Sequence, residues 1–476
     1  MSSQVPLREL RAGVGARWVL TDPASLLAYE SDALTLFRCR PAAVVLPGSA
    51  EEVAACARAL HGSRVPFAAR GAGTGLSGGA LVPEGGVILA LSRMNRILAL
   101  DPERRLARAE PGVVNADLSR AAAPHGLRYA PDPASQTVST LGGNIAENAG
   151  GPMCFLHGAT GQHVLALDVV LADGRREVWG NPTAAPESVD LRGFCVGSEG
   201  TVAIVVGATL RLIPLPEKII TLLAAFDSVQ RACAAVAAVV AAGLRPVALE
   251  VMDQRAIRAV EASAYRAGLP TDAGAVLIVE IEGPAARVPG EAAETERVLR
   301  AHAPSRIERA ETSAQRLAIW KGRKGAGGAL GRLGPDSYVM DGVVPRARLA
   351  EIMRFVEEVE EESGLPVANL FHAGDGNIHP HFSYDARDPE QVARVERAGA
   401  RILRKCLELG GSLTGEHGIG LEKQHLMREQ FGAAELALME RVRRVFDPAE
   451  LLNPGKGLPM RRGCAEAFHR HGRIAS

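Results

Sequence analysis

The sequence predicts an α+β protein of two domains, on three observations. The chain has 476 residues, more than one hydrophobic core usually organises. Short apolar runs of strand length alternate with helical stretches as far as a long β run that ends at Pro214-Leu-Pro216, a natural domain boundary. Beyond Lys218 the composition turns to Ala- and Arg-rich helices separating strands, the pattern of an open sheet with helices on one side.

Residues 1–40 hold a helix and a loop leading to Arg40-Pro41. Ala43–Leu46 and Val65–Ala69 are apolar strands on either side of a helix over Ala50–His61. Gly85–Leu91 and the alternating Leu106–Glu110 continue the strands. Asn115–His125 is helical and runs into the turn Ala130-Pro-Asp-Pro133. Val164–Leu171 turns at Asp173-Gly174 into Glu177–Trp179, as Asp-Gly favours in a hairpin. Val202–Leu212 closes the first half.

In the second half the strands are Ile219–Ala224, Ala248–Met252, Ala275–Glu282, Tyr338–Val344 and Leu370–His372. The helices are Val229–Ala242, Ala285–His302, Arg346–Ser363, Pro389–Leu409 and Ala433–Phe446.

Composition narrows the function. With 47% hydrophobic and 23% charged residues the chain is globular rather than disordered. The 54 basic and 54 acidic residues balance, so no net field draws it to nucleic acid or anionic lipid. Only six of those 54 basic residues are Lys, so an Arg by itself says little about function. Cysteines 39, 56, 154, 195, 233, 406 and 464 are odd in number and lack any Cys-x-x-Cys. That pattern fits thiols in a reducing compartment and excludes an iron–sulfur cluster built on closely spaced ligands. The start MSSQVPLREL has no signal-peptide core, and the aliphatic stretch Ala232 to Leu244 is too short to span a bilayer. The expected protein is soluble and cytoplasmic.

Three Gly-rich stretches share the first half. Gly73-x-Gly75-x-x-Gly78 follows a strand and matches a dinucleotide fingerprint, but Pro83 and Gly85-Gly86 prevent the helix that such a loop must open. Its successive N–H groups can still nest a phosphate, so a nicotinamide-type fold is rejected and a phosphate loop retained. Leu141-Gly-Gly-Asn-Ile-Ala-Glu-Asn-Ala-Gly-Gly151 and Gly197-Ser-Glu-Gly-Thr201 permit close backbone approach to a flat ligand. Three such loops fit one extended cofactor; structural turns are the alternative.

In the second half, His372-Ala-Gly-Asp-Gly-Asn-Ile-His379 and Gly415-Glu-His-Gly418 resemble metal-ligand clusters. A helix would put His372 and His379 roughly 10 Å apart, and Gly374 to Asn377 oppose one. Read as strand, four-residue turn, strand, the segment sets His372 directly across from His379, with Cβ atoms about 5 Å apart. That spacing suits one divalent ion, with Glu416 as an oxygen ligand and His417 beside it. Two ordinary histidines in a polar turn are the alternative, which the second cluster weighs against.

Taken together, RGAGTGLSGGA at 70–80, YAPDPASQ at 129–136, NIAENAGG at 144–151 and GSEGT at 197–201 resemble the FAD-linked oxidases of the vanillyl-alcohol oxidase superfamily. W-x-G-R-K at 320–324, MDG-x-x-PR at 340–346, FHAGDGN at 371–377, GEHGIG at 415–420 and LNPGK at 452–456 resemble its D-2-hydroxy-acid dehydrogenase branch, and within it the FAD-binding subunits of bacterial glycolate oxidases. The resemblance covers nearly the whole chain.

It implies a PCMH-type FAD-binding domain of two α+β subdomains over residues 1–217, a cap domain with an antiparallel sheet over 218–430, and a segment 431–476 returning to the first domain. Non-covalent FAD would lie with its pyrophosphate on Gly71, Gly73, Thr74, Gly75, Ser77 and Gly78. Pro131 and Asp132, with Thr140, Gly143, Asn144 and Gly150, would run along the flavin. Glu199 and Ile204 would reach the rest of the cofactor, and Asn453 and Lys456 would close the site. His372, His379 and Glu416 fall at metal-ligand positions, for zinc or for manganese or iron. His417 matches the base, and Arg323 the clamp on the substrate carboxylate.

The implied reaction oxidises a small D-2-hydroxy acid, glycolate or D-lactate, to the 2-oxo acid. Arg323 would bind the carboxylate bidentately, a cation would lower the hydroxyl pKa, and His417 would take the proton while hydride passes to flavin. His417 as a fourth metal ligand is the alternative. Implied partners are an iron–sulfur subunit and a second flavin-domain subunit, through which the protein could lie at the inner face of the membrane. A stand-alone D-lactate or D-2-hydroxyglutarate dehydrogenase, and a non-catalytic electron relay, are the competing readings. Two departures stand out: Gly325-Ala-Gly-Gly-Ala329 where relatives carry bulkier side chains, and Phe155-Leu-His157-Gly158 in place of the usual basic-Tyr-Gly pattern.

Overall fold

A computed structural model describes residues 4–183, 189–459 and 469–470. The chain forms two compact units. Unit 1 is Met1–Gly150, Ala159–Leu215 and Glu416–Ser476; unit 2 is Gly151–Gly158 and Pro216–Gly415. Each mixes helices with sheets, the α+β class that the sequence predicts.

Unit 1 carries two sheets. In the first, Ala43–Val45, Val87–Ala90 and Phe67–Arg70 are parallel and Val19–Leu20 adds an antiparallel edge. The strand Val87–Ala90 is buried throughout, as a covered parallel strand must be. The second is antiparallel, ordered Arg176–Gly180, Val164–Val170, Ile204–Arg211, Leu106–Ala109, Ile97–Asp101. The helix Ala50–Gly62 starts at Ser49, whose hydroxyl accepts from the Glu52 N–H, with Glu51 and Glu52 in the positive first turn. Its Val53, Ala57 and Leu60 recur on one face and join residues of both sheets in one core.

Helices Asn115–Ala122 and Leu141–Glu147 pack Leu118, Leu141 and Ile145 into a second core with Leu167, Val169 and Val205 of the antiparallel sheet. The helix Leu141–Glu147 corrects the reading of that stretch as a loop. Thr140 caps it, its hydroxyl accepting from Gly143 N–H at 3.4 Å, and Leu141 and Ile145 bury the inner face, which outweighs the glycines. No helix follows the first Gly-rich loop before the strand Val87–Ala90.

Unit 2 is built on one antiparallel sheet whose central order is Arg306–Ala310, Lys218–Phe226, Ala275–Gly283, Ala248–Asp253, Val367–His372. Successive residues of a strand face opposite sides, and nearly all of Ala275–Gly283 and Lys218–Phe226 is buried. The sheet is therefore covered on both faces, not on one as the composition suggested. Val229–Ala241 and Val288–Arg300 pack on these strands. Gln254–Glu261 and Ser313–Leu330, two helices absent from the sequence reading, cover the face carrying Leu223, Ala225, Val276 and Ile278.

Among the described residues no disulfide joins the six cysteines, and no helix is long and apolar enough to cross a membrane. Cys464 lies outside the described residues.

Candidate active site

In unit 1 the first Gly-rich loop leaves the strand Phe67–Arg70 and borders a cavity of ≈ 220 Å³. Gly71, Gly73, Thr74 and Gly75 form one wall. Two of these glycines are required by space: a Cβ at Gly71 would lie 2.3 Å from Thr140 Oγ1, and one at Gly73 (φ +72°) 2.3 Å from Arg70 Nη2. Arg70 Nη2, packed against Gly73, donates to Ser31 O at 2.8 Å. Thr140, Gly143 and Asn144 supply a second wall from the start of the helix Leu141–Glu147, and Glu199 and Ile204 a third. Backbone amides, small residues and absent Cβ atoms on three sides fit an extended cofactor with a pyrophosphate, the group expected from the motifs.

The remaining expected cofactor residues stand apart from the cavity wall. Ser77 is fully buried, and its carbonyl accepts from Leu421 N–H at 2.8 Å, so the Ser77-Gly78 end of the loop braces the chain at Leu421. Pro131 and Asp132 are buried beside Pro133, which does line the cavity. Gly150 donates to Glu416 Oε2 at 3.1 Å. Asn453 Nδ2 bonds the carbonyls of Gly79 and Glu199, and Lys456 Nζ that of Leu81 at 2.7 Å. These last two lock loops together rather than line the site. The cavity also includes Ser135, Glu147 and Ser198, unnamed in the motif reading although each lies inside a quoted motif.

Glu416 and His417 line the same cavity. The turn that carries them is held by Glu199, whose two carboxylate oxygens accept from Ile419 and Gly420 N–H, both at 2.7 Å. Glu199 itself has φ +53°, strained for a residue with a Cβ. Burial pushes its carboxyl above the usual range against the pull of those two amides. Gly418 (φ +84°) has no room for a side chain, since a Cβ would sit 2.5 Å from Glu147 Oε2.

In unit 2 the turn 373–376 joins Val367–His372 to Asn377–Ile378, and His372 pairs with Asn377, not His379. The register expected from the sequence is therefore displaced by two residues. Positive φ at Gly376 (+75°) closes the turn one residue early, and a Cβ there would lie 2.1 Å from Val344 O. His379, two residues past the true partner, is the diagonal neighbour of His372 on the same sheet face, and long side chains reach across a diagonal. Their ring centroids are 5.2 Å apart, edge to face.

Both rings are oriented by their Nδ1 atoms. His379 Nδ1 lies 3.0 Å from Met340 O, and His372 Nδ1 lies 2.8 Å from Glu250 Oε1, with both rings buried. Nδ1 donates to such acceptors, so in the neutral ring each Nε2 keeps its lone pair and can bind a cation.

Glu250 stands directly opposite His372 in the strand register and also receives Arg323, whose Nη2 is 2.5 Å from Glu250 Oε2. Burial raises the Glu250 pKa, but His372 and Arg323 outweigh it and hold the carboxyl below its ordinary value. Arg323 is only 4% exposed, on the helix Ser313–Leu330, and its Nε has no hydrogen-bond partner. It is no surface Arg. Glu250 escaped the sequence reading, although a lone Glu inside Val247–Met252 was a signal, because a buried charge in an apolar strand must be paired.

The neighbouring segment is fastened by Asp341, which accepts from Asn377 Nδ2 at 2.9 Å, from Thr414 Oγ1 and from Gly415 N–H at 3.2 Å. The turn itself is backed by Phe155, since a Cβ on Gly374 would lie 2.9 Å from that ring, and Arg346 lies 5.1 Å over the same ring. The unusual 155–158 segment thus packs against the histidine turn.

Comparison with known proteins bears on the family and the fold. The FAD binding domain family matches residues 41–179, and the family described as FAD linked oxidases, C-terminal domain, matches residues 215–457. The chain is 42% identical over 467 residues to the glycolate oxidase subunit GlcD of Escherichia coli K12, covering 98% of this chain and 93% of that one. It is 33% identical to a D-lactate dehydrogenase of Anaerostipes hadrus, covering 90% and 92%. A solved structure of p-cresol methylhydroxylase superposes with TM-score 0.81 at 17% identity, covering 95% of this chain and 96% of the other, a likeness of fold.

Proposed function

The chain belongs to the FAD-linked oxidases, and from that premise we propose that it oxidises a small D-2-hydroxy acid, glycolate or D-lactate, to the 2-oxo acid. The observation that carries the proposal is the buried group in unit 2: two histidines with Nδ1 engaged and rings 5.2 Å apart, joined through Glu250 to a buried Arg. An electron relay needs neither a Lewis-acid site nor a carboxylate clamp. A catalyst for 2-hydroxy acids can use both, the clamp to hold the carboxylate and the cation to acidify the hydroxyl.

Non-covalent FAD fits the amide-rich cavity of unit 1, where Gly71, Gly73, Gly75 and Gly143 would hold it, and it supplies the hydride acceptor. His372 and His379 would present Nε2 to a divalent ion, zinc or manganese or iron, with Glu416 as the third ligand suggested by the motif. Such an ion lowers the pKa of a coordinated hydroxyl. Arg323 binds the substrate carboxylate through the donors that Glu250 leaves available. His417 takes the hydroxyl proton.

The electrons then leave for a partner. In keeping with relatives named as glycolate oxidase subunits, we place an iron–sulfur subunit and a second flavin-domain subunit downstream. The test is anaerobic bleaching of the purified yellow protein against D- and L-2-hydroxy acids. Bleaching by D-lactate or glycolate and not by L-lactate is expected, with slow turnover on quinone until the partners are added. Rapid quinone turnover by the isolated chain would favour a stand-alone D-lactate or D-2-hydroxyglutarate dehydrogenase. No bleaching by any 2-hydroxy acid would overturn the proposal.

A further inference from the structure

We infer that Glu250 is a positioning residue for this reaction, one buried carboxylate that sets the tautomer of His372 and the orientation of Arg323 together. The inference rests on the reading of His372 as a metal ligand.

Glu250 is 0% exposed on the strand Ala248–Asp253, and its side chain stands opposite His372 across the strand pair. Its two oxygens lie 2.8 and 3.0 Å from His372 Nδ1, and Oε2 is also 2.5 Å from Arg323 Nη2. A carboxylate can only accept, so the proton of a neutral His372 resides on Nδ1 and the Nε2 lone pair is available to a cation. The same carboxylate fixes one edge of the Arg323 fork and leaves the rest of the guanidinium to a ligand.

Mere anchoring of the helix does not explain this group, because a second carboxylate already does that. Glu280 lies on the same sheet face, diagonal to Glu250, and accepts from Arg316 Nε and Nη2 at 2.7 Å, Trp320 Nε1 at 2.5 Å and Thr221 Oγ1 at 2.8 Å. It holds the helix Ser313–Leu330 one and two turns before Arg323 and contacts neither histidine. The two carboxylates therefore separate an anchoring role from a positioning role within one sheet face.

The experiment compares Glu250→Gln with Glu280→Gln in the FAD-loaded full chain after chelator stripping. Mn²⁺ affinity is read by calorimetry, FAD content by absorbance and melting by circular dichroism. A Gln amide can donate to Nδ1 and reverse the tautomer, so Glu250→Gln should bind Mn²⁺ roughly 10- to 100-fold more weakly at normal FAD content. Glu280→Gln should melt lower and bind Mn²⁺ within about twofold of the parent, because its partners are anchoring groups. Parent-like Mn²⁺ affinity in Glu250→Gln overturns the inference. A parent that takes up neither Mn²⁺ nor Zn²⁺ overturns the metal reading beneath it instead. Should Glu250→Gln lose FAD, ¹⁵N-histidine spectra of the stripped parent decide: an Nδ1–H tautomer for His372, assigned by His372→Gln, is expected, and an Nε2–H tautomer overturns the inference.

Discussion

A lysine with no solvent must find its partners in the chain, and Lys456 donates to Leu81 O at 2.7 Å and Asn453 Oδ1 at 3.0 Å. Burial pushes its pKa down to about 7, although Asp32 and Glu199 pull the other way. Burial pushes the Asp32 carboxyl up to about 7 against the Leu34 N–H and the Arg70 and Lys456 charges. Between pH 7 and its ordinary 10.5, Lys456 binds more protons in the unfolded chain, so its contribution to stability grows as pH rises through that window. Between 3.8 and about 7, Asp32 binds more protons in the folded chain, so its contribution shrinks as pH rises. The pair thus favours a stability minimum near neutrality. In cofactor-free protein, Lys456→Met should flatten the rise in melting temperature above pH 7 and Asp32→Asn the fall below it; unchanged slopes would show that neither shift exists. His417→Ala tests the base: FAD and metal should stay while flavin reduction slows by about 10²- to 10⁴-fold and partly recovers at high pH. Rapid-mixing kinetics across pH would read this, and parent-like reduction would remove His417 from the mechanism.

The helix Ser313–Leu330 shows why some elements were legible in sequence and others were not. Ala433–Phe446 is legible to its ends, and Ala50–Gly62 within one residue, because each is an unbroken run of good helix formers that opens at a boundary residue, Gly432 before the first and the capping Ser49 before the second. Ser313–Leu330 was missed because glycines at 322, 325, 327 and 328 argue against any helix. It forms nonetheless from a Thr312–Gln315 capping box and from Arg316, Trp320 and Arg323 reaching buried carboxylates on the sheet, information that lies in other strands. The same limit hid the true partner of His372, since only the strand it joins fixes the register. The glycines differ in kind. A Cβ at Gly325 would meet the Tyr265 ring at 2.2 Å, whereas one at Gly327 meets nothing within 4 Å. Gly325→Ala should therefore destabilise by about 1–3 kcal/mol, and Gly327→Ala should stabilise by about 0.5–1 kcal/mol. Urea denaturation of the pair checks it, and effects of the same sign would refute the packing argument.

At the scale of the whole molecule, the motifs that were scattered along the sequence sort into two structural groups. The cavity that fits FAD is built from unit 1 residues, including Glu416 and His417. His372, His379, Glu250 and Arg323 are all in unit 2, where the first-half segment Gly151–Gly158 also resides. Cofactor retention and substrate chemistry should thus be separable by mutation. His372→Ala and His379→Ala remove imidazoles of unit 2, whereas the amide-rich loops that fit FAD belong to unit 1, so each variant should purify yellow with a full complement of FAD. Loss of the proposed ion forfeits several kcal/mol of charge stabilisation, which converts to a fall of roughly 10²- to 10³-fold in the rate of flavin reduction by the 2-hydroxy acid. Dithionite, which needs no metal, should still reduce the flavin at the parent rate. Gly71→Ala should do the reverse: the added Cβ collides with Thr140 Oγ1 at 2.3 Å, so FAD content falls while Mn²⁺ binding by the histidines weakens far less. Absorbance, element analysis and stopped-flow reduction on the three variants read all of these at once. If the histidine variants lost FAD as readily as Gly71→Ala, cofactor and substrate sites could not be divided in this way, and the assignment of His372 and His379 to substrate chemistry would fall with the division.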